Sequence, residues 1–241
     1  GLGLEISRGL AALGARVVIA SRSAEHHQPL LDEARERGWQ VEAIELDVRE
    51  AADVERAAAE LRERHGRVDL LVNNAAGNFL CPAERLSAKG WRAVLGIVLD
   101  GTFYCSRYFG RGMIRDGGGQ ILNVVATYAW TGMPGVVHSA SAKAGVLAMT
   151  RSLAVEWARH GIRVNAIAPG AMPGGGFATS DDAFQPKRKI PLGRFGAPED
   201  ISGPALALLS NRFSQYVTGV TLPVDGGLDL YSWIDPPDTT A

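Results

Sequence analysis

Lys143 lies in the run Val136-Val137-His138-Ser139-Ala140-Ser141-Ala142-Lys143-Ala144-Gly145-Val146, early in an apolar stretch. A lysine there either threads its stem to water or works through its charge, which lowers the pKa of a nearby acid. The chain opens Gly1-Leu2-Gly3 just ahead of a helical pattern. Free N–H groups and the dipole at such a helix start bind pyrophosphate oxygen, and glycine lets the backbone come close. The next strand runs into Ser21-Arg22, where the adenosine ribose of a bound dinucleotide would lie. A carboxylate at that place repels a 2′-phosphate, whereas a hydroxyl and a guanidinium bind it through charge-assisted hydrogen bonds. The expected cofactor is therefore NADP(H), beside a lysine able to tune proton transfer.

Short β-rich runs must position these groups: 15–20, 41–46, 68–72, 120–125, 163–167 and 218–223. Helical stretches separate them at 5–13, 25–37, 51–65, 88–115, 141–160 and 198–210. Such alternation implies right-handed crossovers and a mostly parallel sheet covered on both faces, an α/β Rossmann-type doubly wound fold. One domain over residues 1–241 accommodates it. A first strand and its glycine would normally precede Gly1, so the chain reads as lacking roughly a dozen residues there. The stretch from Pro169 to Pro191 breaks the rhythm with Gly174-Gly175-Gly176 and Lys187-Arg188-Lys189. It follows a strand end, where open α/β sheets bind ligands, so 171–191 is expected to be a substrate lid.

Composition narrows the function classes. A formal charge of −1 argues against a nucleic-acid surface. Cys81 and Cys105 lie far apart without zinc or disulfide spacing, which predicts no metal site and a reducing compartment. No apolar run reaches the roughly 20 residues that span a bilayer. No signal peptide is apparent, and the ending Asp238-Thr239-Thr240-Ala241 is not an organelle address. A cytoplasmic, bacterial setting is expected.

The runs Asn73-Asn74-Ala75-Ala76-Gly77-Asn78-Phe79, Ser139 to Val146, Leu153-Ala154-Val155-Glu156-Trp157 and Asp225-Gly226-Gly227 resemble the short-chain dehydrogenase/reductase family over nearly the whole chain. That family's usual active site places tyrosine four residues before the lysine. Ser139 stands there; the serine expected thirteen residues earlier is Ala126, and the asparagine of the middle helix reads as Val98. Tyr128, fifteen residues before Lys143, and Asn78 instead match the 2,4-dienoyl-CoA reductase branch. The resemblance implies that Lys143 binds the nicotinamide ribose, while Tyr128 and Asn78 hydrogen-bond the substrate thioester carbonyl. It also implies cofactor contacts from Asp47 and Val48 at the adenine, from Asn74, Ala75 and Gly77 along the backbone, and from Pro169, Gly170 and Met172 at the nicotinamide. Asn73 is expected to steady the sheet.

The displacement has a chemical logic. Reduction of a ketone creates charge at the carbon that receives hydride, so its acid stands close by. Reduction of a dienoyl thioester adds hydride at C5 and gathers charge on the distant thioester oxygen, so the donors must aim there. The small Ser139 leaves room for the diene or adds a hydrogen bond. Protonation at the α carbon, by water, would give a 3-enoyl-CoA. Arg85, Lys187, Arg188, Lys189 and Arg194 are candidates for coenzyme A phosphates; Phe79, Trp130, Met133, Met172 and Phe177 are candidates for an acyl channel. The alternatives are a 2-enoyl-CoA or 3-oxoacyl-thioester reductase, and a non-catalytic NADP(H)-binding protein. The helices at 88–115 and 141–160 resemble those that pair in family homotetramers.

Overall fold

The structure, a computed structural model, describes residues 1–173 and 189–230. In chain order it forms α1 (Leu2–Ala12), β1 (Val17–Ser21), α2 (Gln28–Arg37), β2 (Val41–Glu45), α3 (Ala51–His65) and β3 (Leu70–Asn73). Then come α4 (Ala88–Leu95), α5 (Gly101–Asp116), β4 (Gly119–Val124), α6 (Tyr128–Thr131), α7 (Val137–Trp157) and β5 (Ile162–Pro169). Helices α8 (Pro198–Leu209) and α9 (Asn211–Ser214) precede β6 (Thr221–Val224). No described helix is long and apolar enough to cross a membrane.

Every strand pairing among the described residues is parallel. β1 pairs with β2, and β3-β4-β5-β6 form a second run in that order. β1 and β3 do not pair, and the space between them opens into a cleft at the C-terminal ends of β4 and β5. Period-two alternation sends successive side chains to opposite faces, and here both faces are covered. Leu122, Val124 and Ile167 pack with Ile6 of α1 and Ile201, Ala205 and Leu208 of α8. On the other face Ile121, Ile162 and Val164 pack with Met113 of α5 and Ala154 and Trp157 of α7. This is the doubly wound arrangement expected from the sequence.

Several element boundaries differ from expectation, for local reasons. α2 begins at Gln28 after a 3-10 turn at Ala24–His26, because Pro29 fits the first helical turn and not the interior. The expected helix at 88–115 is interrupted by a π turn, Gly96–Asp100, which separates α4 from α5. α7 starts at Val137, four residues before the expected start at Ser141, so Ser139 and Lys143 lie one turn apart on one helix. β5 runs on to Pro169, which delivers Gly170 to the sheet edge. Of the expected lid, residues 174–188, with Phe177, Lys187 and Arg188, lie outside the described residues.

Candidate active site

The C-terminal end of β4 and the start of α7 bring the central groups together. Lys143 is buried and its Nζ donates to the carbonyl of Val124, the last residue of β4. Burial alone brings its pKa down to about 8. One turn earlier, Ser139 Oγ lies 3.1 Å from the Tyr128 hydroxyl at the head of α6. Burial pushes the Tyr128 pKa up, and the Ser139 hydrogen bond offsets part of that rise. Tyr128 is thus a neutral phenol, able to donate. The positions where the family keeps serine and asparagine are occupied by Ala126 and Val98, both buried and apolar.

Asn78 follows β3 and lines the same cleft. Its Nδ2 and Oδ1 are buried with no hydrogen-bond partner among the described residues. Leaving both atoms of an amide unpaired costs on the order of 1–3 kcal/mol, which a ligand carbonyl would recover. Two neighbours hold this loop. Phe79 stacks on His138 with ring centroids 4.4 Å apart, and the Cys81 N–H donates to the Gly135 carbonyl at 2.9 Å. His138, one residue before Ser139, is fully buried.

Asn73 is structural, as expected. Its Nδ2 donates to Asn123 Oδ1 at 2.8 Å and to Ser106 Oγ at 3.1 Å, and Asn123 in turn donates to Thr150 at 2.9 Å. That chain of bonds ties β3 and β4 to α5 and α7. Asn74, Ala75 and Gly77 line the cleft. A Cβ at Gly3 would come 2.7 Å from Asn74 Nδ2, so a larger residue at the start of α1 would make the Asn74 amide turn away. Gly170 is constrained by backbone: a Cβ there would lie 2.5 Å from Asp225 Cβ and 2.6 Å from its Cα, so no side chain fits. Pro169 and Met172 line the cleft beside it.

At the far end, Ser21 closes β1 and Arg22 follows it, and both line the cleft with Gly1 and Leu2. The Ser21 hydroxyl is already engaged by Ser23 and by His27, a contact the sequence did not announce because it closes over six residues of loop. Asp47 has a strong partner of its own. Arg49 binds its carboxylate through Nε at 2.9 and 3.0 Å and through Nη2, holding its pKa down at about 2. Val48 packs on Gly101, where a Cβ would meet Val48 Cγ2 at 2.7 Å.

The expected coenzyme A contacts fare differently. Lys189 lines the cleft. Arg194 does not: its guanidinium is bidentate on Asp200 at 2.6 and 2.9 Å, and Asp200 accepts the Ala197 N–H at 2.8 Å, so Arg194 clamps the start of α8. Arg85 sits exposed on the 3-10 turn Ala83–Arg85, away from the cleft lining. Trp130, 41% exposed, is not part of the cleft lining but hydrogen-bonds Asp229, which is; Phe79 covers His138 without lining the cleft, and Met133 and Met172 do line it.

Known proteins resemble this chain over nearly its whole length. Residues 1–229 match the family described as enoyl-(acyl carrier protein) reductase. A probable 2,4-dienoyl-CoA reductase, (2E)-enoyl-CoA-producing, of Bacillus subtilis strain 168 is 43% identical over 98% of this chain and 94% of its own. The peroxisomal 2,4-dienoyl-CoA reductase, (3E)-enoyl-CoA-producing, of Danio rerio is 40% identical over 96% of this chain and 79% of its own. A crystal structure of a short chain dehydrogenase from Bacillus anthracis superposes with a TM-score of 0.89 at 46% identity, covering 97% of this chain and 94% of that one.

Proposed function

The chain belongs to the short-chain dehydrogenase/reductase family and is an oxidoreductase, and from that premise we propose that it reduces a 2,4-dienoyl-CoA with NADPH. One observation carries the reading: the family's acid position holds Ser139, and Ser139 hydrogen-bonds a tyrosine brought in from α6. The proton-bearing group is displaced from the helix that carries Lys143. Such a displacement suits a substrate whose charge develops away from the reduced carbon.

The residues present fit NADPH. The start of α1 approaches the Asn74 loop without a side chain, β1 ends in Ser21-Arg22 with no carboxylate, and Lys143 reaches the cleft. The chemistry the reduced nicotinamide supplies when bound is a hydride for C5 of the diene. Tyr128, kept neutral by burial, and Asn78, with its amide unpaired, donate to the thioester oxygen on which charge collects. With a pKa of about 8, Lys143 is mostly charged at pH 7 and serves the nicotinamide ribose and the local potential. Ser139 holds the Tyr128 hydroxyl and leaves room for the diene.

The dienolate takes its proton at C2, from water, to give a 3-enoyl-CoA, the product named for the Danio rerio relative. Protonation at C4 would give the 2-enoyl-CoA named for the Bacillus subtilis relative, and this is the second reading. Free thiols at Cys81 and Cys105 go with a cytoplasmic location. The test is NADPH oxidation with trans-2,trans-4-hexadienoyl-CoA, crotonyl-CoA and acetoacetyl-CoA, with the product identified by proton NMR. Turnover of the dienoyl substrate is expected, reduced on the order of a hundredfold or more by Tyr128→Phe or Asn78→Ala. Turnover of acetoacetyl-CoA alone would make the protein a ketoreductase, and turnover of none, with NADPH bound, a cofactor-binding protein.

A further inference from the structure

We propose that His27 is a positioning residue for the NADPH 2′-phosphate, acting through Ser21 and so setting the preference for NADPH over NADH. The inference rests on the NADPH reading of the cleft. Ser21 Oγ stands at a junction: the Ser23 carbonyl oxygen is 2.8 Å away, His27 Nε2 is 2.7 Å away, and the Ser23 N–H approaches at 3.4 Å. A hydroxyl has one proton, and a carbonyl can only accept it. The Ser21 proton therefore goes to Ser23, and His27 Nε2 must carry a hydrogen and donate it to Oγ. This fixes the neutral ring as the Nε2–H tautomer.

The consequence concerns the arriving anion. With His27 and the Ser23 amide occupying the lone pairs of Oγ, the one freedom left to the hydroxyl is to redirect its proton. A phosphate oxygen is a stronger acceptor than a neutral carbonyl and would take that proton from Ser23. Donation from His27 into Oγ polarises the O–H and strengthens the bond it then makes. Without His27 the hydroxyl can turn its lone pairs toward the phosphate, which is repulsive. The ring itself is 5% exposed at the cap of α2; it borders the cleft, but its Nε2 is committed to Ser21 Oγ, so it works through Ser21. Arg22, exposed beside it, supplies the charge; of the carboxylates where β2 ends, Glu45 stands in register with Ser21 and Asp47 is held by Arg49.

The test is calorimetric binding of 2′,5′-ADP and 5′-AMP, which differ by the 2′-phosphate, to the parent, His27→Phe and His27→Gln. Phenylalanine keeps the ring volume without a donor; glutamine restores an N–H donor. The parent is expected to favour 2′,5′-ADP. His27→Phe should lose on the order of tenfold for 2′,5′-ADP with 5′-AMP unchanged, and His27→Gln should recover most of that loss. In turnover the KM for NADPH should rise with kcat held. An unchanged ratio in His27→Phe, an equal loss for both nucleotides, or no recovery with glutamine overturns the role of His27 while leaving the NADPH reading in place. A parent that does not distinguish the two nucleotides overturns both. If His27→Phe does not fold, Ser21→Ala carries the test: it should show the same selective loss, and no loss there overturns the inference.

Discussion

Lys143 combines a functional requirement with a cost in stability. It is 5% exposed, and burial brings its pKa from 10.5 down to about 8. Between about 8 and 10.5 the unfolded chain carries a proton the folded one has released, so stability rises with pH across that window. Below it, the folded protein holds a desolvated charge at a cost of roughly 3 kcal/mol. Lys143→Met is therefore expected to be more stable than the parent at pH 7 and inactive. Urea unfolding at a series of pH values should show the difference closing as pH climbs from 8 to 10.5; a gap independent of pH would mean the lysine is not the source. Lys143 and the Ser21-Arg22 pair were legible because their types are unusual where they stand. His27 and the saturation of Asp47 by Arg49 were not, because hydrogen-bond partners in loops depend on how the backbone turns.

At the scale of elements, the pairing of α5 with α7 positions the lysine. Gly110 of α5 lies under the Trp157 ring of α7: a Cβ there would come 2.7 Å from both Cη2 and Cζ3. An indole cannot bend aside as the end of a leucine can, so the helices would have to separate. Gly110→Val should cost about 1–3 kcal/mol from overpacking. Two residues on, Gly112 has nothing closer to its Cβ position than Arg62 Nη1 at 3.9 Å. Gly112→Ala, in the same helix, should instead stabilise by about 0.5–1 kcal/mol through helix propensity. Thermal unfolding of the two variants should move in opposite directions; loss of stability in both would show that α5 tolerates no side chain on either face. The π turn between α4 and α5 escaped sequence reading, because an apolar run such as Gly96-Ile97-Val98-Leu99 continues a helical pattern whether or not one residue is looped out.

For the whole molecule, two apolar side chains point away from the core on the helices that cover the sheet. Phe103 of α5 is 42% exposed and Val155 of α7 is 82% exposed. Isolated exposed residues are ordinary, but these lie on the helix pair whose sequence resembles that of family tetramers. We propose a homotetramer assembled through these helices. Light scattering should give the mass of four chains, and Val155→Glu should shift it to a smaller species with the fold intact by circular dichroism. A monomeric parent would refute the arrangement.

The sequence by itself determined the layered α/β architecture, because strand and helix periodicities are local properties and a parallel sheet with both faces covered is their usual joint solution. It also marked Lys143, which keeps the family's pattern, and Ser139, Tyr128 and Asn78, which depart from the usual active site at fixed spacings from it. Tertiary structure decided which of these meet. Only the early start of α7 sets Ser139 one turn before Lys143, and only the path from β4 into α6 brings the Tyr128 hydroxyl to 3.1 Å from Ser139. It turned Arg194 from a ligand candidate into a clamp on α8, since an exposed arginine takes whichever carboxylate the fold supplies. Residue type fixes what a side chain can do; the packing of distant segments fixes what is within its reach.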